Sequence, residues 1–562
     1  MKRILLSLAV TFVATATLFG QAPTAAPPAA AAAAPATPAA APAPPPKAIT
    51  DADIKNVDVP KPEVRLKGDI DGSLTGNASD IAVSDAKKGL TIADLVNQVG
   101  QNKIALNFVW TLVTGYLVMF MQLGFALLET GLGRAKNANH TMMMNLVVYG
   151  VGMLAYWLIG FSLQMGGVSG VPNLGGIPPL SSEFTFTLFG KPFGLFGQAG
   201  IFLMNKGTYD VGVMVLFLFQ MVFMDTGATI PTGAALERWK FAGFVVTSFL
   251  FAAFTYPLFA NWAWGGGWLA NLGANFGLGK GYVDFAGSGV VHAVGGVTAL
   301  AIAIILGPRI GKFGRDGKPH AILAHDLVLV ITGCLILAFG WFGFNPGSTL
   351  GASSNGNLRI GSIAVNTMLA SAAGLVAAMC YMWLKFGKPD ASMTGNGFLA
   401  GLVAITAPCA FVNPVGAVLI GTVAGVLVCL AVAFFESVMK LDDPVGAVSV
   451  HGVCGIWGVI SVGLLADGKT NYGGAWNGVN GSVTGYFYGG GLDQLLAQLI
   501  GVSVLVGFVF SLSMIFGMIV DVVVGQRTSA KSELEGLDIP EMGALAYPEF
   551  ELKAYGSPTG RA

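Results

Sequence analysis

From Lys103 to about Val523 the chain alternates long apolar stretches with short polar ones. Each stretch approaches the ~20 residues a helix needs to cross a hydrocarbon core. Eleven are legible, over about 104–128, 141–165, 209–230, 241–264, 288–307, 322–345, 361–386, 395–412, 414–436, 446–466 and 491–523. This pattern predicts an all-α polytopic membrane protein with eleven transmembrane helices. Composition agrees, since 54% of the residues are hydrophobic and 11% charged, too few charges for an ordinary water-exposed surface. Glycine, at 79 residues, recurs inside the apolar runs and suits close helix packing. Lys+Arg and Asp+Glu balance at 30 each, so no overall field points to nucleic acid, and none is expected as a partner. The five cysteines lie in apolar segments without metal-ligand or CxxC spacing and read as small buried hydrophobes.

Five regions are expected. Residues 1–22, a basic start followed by ILLSLAVTFVATATLFG, read as a signal peptide, and 23–47 as an Ala/Pro-rich linker. Residues 48–102 form a polar periplasmic segment with a short helix in LTIADLVNQVGQN, 103–524 the eleven-helix domain, and 525–562 a cytoplasmic tail. Basic residues accumulate in cytoplasmic loops. The loop after the fifth span carries Arg309, Lys312, Arg315 and Lys318, and Arg134, Lys136, Arg238, Lys240, Lys385, Lys388 and Lys440 share its side. The opposite loops hold Lys191, Lys206, Lys280, Arg359 and Lys469. The mature N-terminus is therefore expected outside and the tail inside, in a multi-pass protein of the bacterial inner membrane.

The fifth span contains VVHAVGG and the tenth SVHGVCG, which share V-H-x-V-x-G around His292 and His451. Five crossings separate them, so the helices run in opposite directions and the repeat is inverted, with a substrate path expected at its interface. A lone membrane histidine would read as a neutral imidazole satisfied between helices. Two at repeat-related positions point to function, because intramembrane ionisable residues are costly. A facing imidazole pair offers a donor and an acceptor without a fixed charge, which suits a small hydrogen-bonding solute.

Aromatic residues gather at the expected outer ends of spans: Phe219 and Phe223 in FLFQMVF, Trp264 in NWAWGGGW, Phe344 and Ser348 in GWFGFNPGS. Aromatic faces attract a cation by roughly 0.5–2 kcal/mol, and a hydroxyl accepts from its N–H. Composition alone equally allows an interfacial belt for Trp262, Trp264 and Trp268 and core packing for the phenylalanines. Asp284 reads as the cap of the following helix, its charge tilting the vestibule toward cations.

Over about Asn107 to Tyr547 the sequence resembles the ammonium transporter family, related to the Rhesus-type gas channels. The most specific segment is DFAGSGVVHAVGGVTALAIAIILGPR, with GFALLETGLGRAKN, AWGGGW, GWFGFNPGS and DDPVGAVSVHGVCGIWG in the expected order. The resemblance implies the ammonium transporter fold, an inverted five-helix repeat, and a homotrimer with one pore per subunit. It also implies an outer recruitment site at Phe219, Phe223, Trp264 and Ser348, a stacked gate of Phe223 and Phe344, Trp341 as a pore wall, a twin-histidine pair at His292 and His451, and Asp284 holding the outer site in shape. The substrate is then ammonium or ammonia, carried within the lipid bilayer without a cofactor. The tail resembles the family's cytoplasmic tail, which couples subunits and meets a PII-class nitrogen-signalling protein. Three departures bear on this: Gly446 stands where many relatives carry Asp, against a role for that carboxylate at the exit, and Met542 and Ala544 replace a common His and Glu, against PII control. The long loop 166–208 has no assigned purpose.

Burial of an ammonium-like amine depresses its pKa by as much as about 3–5, so a narrow apolar pore favours deprotonation. The expected course is recruitment and deprotonation of ammonium, passage of ammonia along the histidines into the cytoplasm, and separate movement of the proton. Alternatives are an ammonium sensor and an electroneutral ammonia or carbon dioxide channel. A haem-b electron carrier ligated by the two histidines fits the neighbouring motifs poorly, and no enzyme activity is expected.

Overall fold

The computed structural model describes residues 50–54, 84–85, 89–168, 171–177, 179–204, 210–353, 359–469 and 476–548. The expected signal peptide, the linker, most of the polar segment and the end of the tail lie outside them. Ten helices among the described residues are long and apolar enough to cross a membrane. They are α1 (Ile92–Leu132), α2 (Ala135–Met165), α3 (Val211–Ala234), α4 (Phe241–Trp264), α5 (Ser288–Leu306), α6 (Leu327–Thr349), α7 (Ile360–Phe386), α9 (Pro414–Ser437), α10 (Val448–Leu465) and α11 (Asp493–Val523). The short helix expected over 90–102 is the first part of α1.

The remaining expected span, 395–412, is helical only over α8, Ala391–Ile405, 15 residues. Asp390 starts it by accepting from the Met393 amide (2.8 Å). Thr406–Val412 then turns without regular structure although buried throughout. Irregular backbone is tolerated at that depth only if protein satisfies its polar groups, and here it does. Ser288 Oγ accepts from Ala407 N (2.6 Å), Asn366 Nδ2 donates to the carbonyls of Cys409 (3.0 Å) and Val412 (2.7 Å), and the amides of Phe285 and Ala286 donate to Ala407 and Thr406. The turn thereby ties α7 and the approach to α5 together.

A hairpin of β1 (Glu183–Leu188) and β2 (Lys191–Gly197) adds a small antiparallel sheet in the long loop after α2. It docks where Trp262 Nε1 donates to Leu195 O (2.9 Å) and Trp268 stacks on Phe193 at 5.7 Å.

At the centre, α5 packs against α3, α10 and α11, and α10 against α8. Two contacts fix the relative direction of α5 and α10. Arg309, just past the end of α5, binds Asp442, just before the start of α10 (Nε to Oδ2, 2.8 Å). Midway, Gly296 meets Gly452 with no room for a side chain at Gly296. The helices are antiparallel, as the odd number of crossings requires. At the Arg309 end, Glu237 receives Arg134 and Arg309, and Arg238 donates to Asp442 O (2.7 Å). The tail segment Ala530–Met542 docks here: Glu533 binds Arg527 (2.8 Å), Lys136 Nζ donates to Glu533 O (2.9 Å), and Asp538 Oδ1 accepts from His140 N (2.9 Å). Met542 is half-buried and Ala544 exposed, its carbonyl accepting from Asn139 Nδ2 (2.8 Å).

Candidate substrate path

At the end bearing Trp264, the termini of α2, α3, α4 and α6 surround an open cavity of about 480 Å³. Phe219, Phe223, Trp264, Asp284 and Ser348 all line it, so residues 219 to 348 converge on one vestibule. Phe219 and Phe223 are one turn apart on α3, which puts their rings 4.6 Å apart. Trp264 stands edge-on to Phe223 at 6.2 Å and donates Nε1–H to the backbone carbonyl of Asp284 (2.7 Å). Ser348 Oγ donates to Phe344 O (2.9 Å), which leaves its lone pairs to accept from a bound N–H donor.

Asp284 sends its carboxylate to the backbone. Oδ1 accepts from Gly287 N (2.8 Å) and Oδ2 from Gly289 N and Val290 N (2.9 Å each), capping α5. Burial pushes its carboxyl up to about 6, against the opposing pull of those amide bonds. Its side chain thus holds the first turn of α5, and its backbone carbonyl holds the Trp264 indole.

Below the vestibule the rings close up. Phe223 and Phe344 stack at 4.1 Å with 28° between planes, and both are fully buried. His292 follows, stacked on Phe344 at 5.3 Å and on Trp341 at 5.1 Å. Trp341 is held by its Nε1–H donating to Thr406 Oγ1 (2.9 Å), so the irregular turn after α8 positions this wall. His451 lies next, Nδ1 to Nδ1 3.2 Å from His292, and Phe125 flanks it at 6.0 Å. One imidazole donates and the other accepts. His292 Nε2 is buried without a partner among the described residues.

Both histidines sit in a π-helical turn, Ser288–Ala293 and Val448–Val453. Such turns widen the helix and are frequent at functional sites. The symmetry extends further than V-H-x-V-x-G. Asp443 stands eight residues before His451, as Asp284 does before His292, and it likewise caps its helix by accepting from Ala447 N (2.9 Å) and Val448 N (2.8 Å). Burial pushes Asp443 up to about 6 as well. Gly446 matches Gly287, and both hold left-handed backbone, φ +77 and +116. A glycine suits that conformation, which is a physical reason for it at 446. Asp443 and Phe125 are absent from the residues singled out above. Extending the repeat by eight positions finds Asp443, whereas nothing local in the sequence marks Phe125.

The model of the Ammonium Transporter Family matches residues 109–547. Ammonium transporter Amt2 of Archaeoglobus fulgidus is 45% identical over 450 residues, covering 80% of this chain and 89% of that protein. Ammonium transporter Amt1 of Haloferax mediterranei is 36% identical over 464 residues, covering 81% and 82%. Among solved structures, a chain titled Sensor Amt Protein is 34% identical with a TM-score of 0.67, covering 79% of this chain and 99% of its own. Mep2 of Candida albicans is 28% identical with a TM-score of 0.63, covering 79% and 90%. With a central pair of antiparallel helices joined through His292 and His451 and the family's sequence over nearly all of the bundle, this chain belongs to the ammonium transporter family.

Proposed function

We propose that the protein recruits ammonium in the Trp264 vestibule, strips its proton at the Phe223–Phe344 pair and passes ammonia along His292 and His451 into the cytoplasm. The observation that carries this reading is the continuous column of rings that ends in the imidazole pair, with Nδ1 atoms 3.2 Å apart. Phe219, Phe223, Trp264 and Ser348 offer three aromatic faces and an acceptor, the chemistry a small N–H cation needs. Closed rings beneath exclude a hydrated ion, so the species that passes is uncharged. The linked imidazoles let a proton travel separately, which makes transport electrogenic. Basic residues at the Arg309 end support placing that end, with the tail, on the cytoplasmic side of the inner membrane. The tail at this end is the segment proposed to couple subunits of a homotrimer and to meet a PII-class protein, with Met542 and Ala544 standing against the latter.

In proteoliposomes on a solid-supported membrane, an ammonium jump should evoke a current that potassium does not. A double His292→Ala/His451→Ala variant should abolish it. Normal current in that variant overturns the relay, and ammonia flux without current in the wild type marks an electroneutral channel. Likeness to the chain titled Sensor Amt Protein favours a sensor as second reading; silence in both assays would favour it.

A further inference from the structure

On the far side of His451 from the vestibule lies a separate small cavity of about 20 Å³, lined by Phe125, Asn396, Val445, His451 and Glu129. A cavity needs at least about 10–15 Å³ to hold one water, so this one takes a single molecule of water's size, which is also ammonia's. Glu129 is a carboxyl group inside α1, 2% exposed. It takes part in none of the ion pairs among the described residues. Of the other acids at this end, Glu237 and Asp442 are engaged by Arg134, Arg238 and Arg309, and Asp443 caps α10 by accepting from two backbone amides. An acid buried at membrane depth without a counter-cation is costly and needs a reason.

Its hydrogen bonds supply one. Asn145 Nδ2 donates to Oε2 (2.8 Å), and Asn145 is itself oriented by Thr229 Oγ1 donating to its Oδ1 (3.2 Å). Thr232 Oγ1 lies 2.9 Å from Oε1, 2.8 Å from Oε2 and 2.5 Å from the carbonyl of Thr229. One hydroxyl proton cannot serve the carbonyl and a carboxylate together. If Oε1 carries a proton and donates it to Thr232 Oγ1, Thr232 is free to donate to Thr229 O, and every atom is satisfied. As a carboxylate Glu129 accepts from Asn145 Nδ2 and Thr232 Oγ1, and as an acid it donates to Thr232 Oγ1, which turns to Thr229 O, so the same neighbours serve both protonation states.

We propose that Glu129 is the proton station beyond the histidine pair, the group that returns a proton to ammonia after it has passed His451. This rests on the transport reading above. His451, protonated at its ring, gives H⁺ to the Glu129 carboxylate, leaving neutral imidazole and a carboxylic acid. The acid then gives that proton to ammonia in the small cavity, forming ammonium and restoring the carboxylate. No charge is created or lost, and the carboxylate is ready for the next proton.

The test uses the full-length protein in proteoliposomes with three variants: Glu129→Gln, Glu129→Asp and the His292→Ala/His451→Ala pair. E129Q keeps the shape and the Asn145 and Thr232 contacts but cannot shuttle a proton. Its ammonium-evoked current should fall about tenfold or more, while E129D, which keeps an acid, should retain a larger share. In infrared difference spectra an ammonium jump should change a protonated-carboxyl band in the wild type that E129Q lacks. Wild-type current in E129Q overturns the station while leaving the transport reading intact. Equal loss in E129Q and E129D, or an unchanged carboxyl band, overturns it as well and assigns Glu129 to packing. A wild type without ammonium current overturns both proposals together. Should E129Q fail to fold, the wild-type infrared band and E129D decide.

Discussion

Gly296 is the point where the two histidine-bearing helices touch, and one methyl group there tests whether their spacing matters. A Cβ on Gly296 would lie 2.5 Å from Gly452 Cα and 2.8 Å from the carbonyl carbon of His451. Both are backbone atoms that cannot rotate aside. Carbon pairs pack at about 3.5–4.0 Å, so α10 must retreat by roughly 1 Å. The contact lies one turn past His292 and beside His451, so the Nδ1 to Nδ1 distance of 3.2 Å grows to about 4 Å, outside hydrogen-bonding range. Overpacking should cost about 1–3 kcal/mol of stability, and misplacement of this size can cost transport about 100-fold. The reciprocal substitution is a control, because a Cβ on Gly452 meets its nearest atom, the Gly296 carbonyl carbon, at 3.5 Å, an ordinary contact. Gly296→Ala should therefore lower the thermal midpoint of the purified protein and remove most of the ammonium-evoked current, while Gly452→Ala keeps both. Wild-type current in Gly296→Ala, or equal damage in Gly452→Ala, would refute the claim that this crossing sets the histidine geometry.

Three further outcomes are expected. Truncating the stacked Phe223–Phe344 pair, the proposed gate, with Phe344→Ala should destabilise the protein by about 3–5 kcal/mol and let potassium evoke a current that the wild type lacks, read on the same solid-supported membrane. Asp442 is held down to about 2, burial being outweighed by its bonds to Arg309 and the charges of Arg238 and Arg309; its folded value is depressed, so its stabilisation is complete above the ordinary carboxylate range and disappears as pH falls through about 2. Asp442→Ala strands those buried guanidiniums and should cost about 3–5 kcal/mol in denaturant unfolding at neutral pH. Asp284, raised to about 6, should lose its vestibule charge on acidification, so half-saturation for ammonium should rise as pH on the Trp264 side falls through about 6. The same raised value means its ionisation opposes folding, so its stabilising share is present below the usual carboxylate range and lost as pH rises through about 6. An ammonium affinity flat from pH 5 to 7 would refute the vestibule role of this charge.

Sequence alone determined the membrane bundle, because an apolar run of helical length has one low-energy environment, and that cost is additive along the chain. It also determined the candidate histidines, since V-H-x-V-x-G recurs around His292 and His451 in segments where charge is expensive. What lay beyond it depended on contacts between distant residues. Hydropathy reads 395–412 as one span, yet only tertiary partners such as Asn366 and Ser288 let 406–412 leave the helix inside the protein. Nothing local shows that Asp284 spends its oxygens on three amides and offers Trp264 only its carbonyl. Glu129 reads in sequence as one acid near the end of a span, and only the packing of α1 against α2 and α3 seals it beside Asn145, Thr232 and the cavity of His451. Transfer energies sum along the chain and are legible there; the meeting of side chains 159 positions apart is set by how helices cross, which no one-dimensional pattern contains.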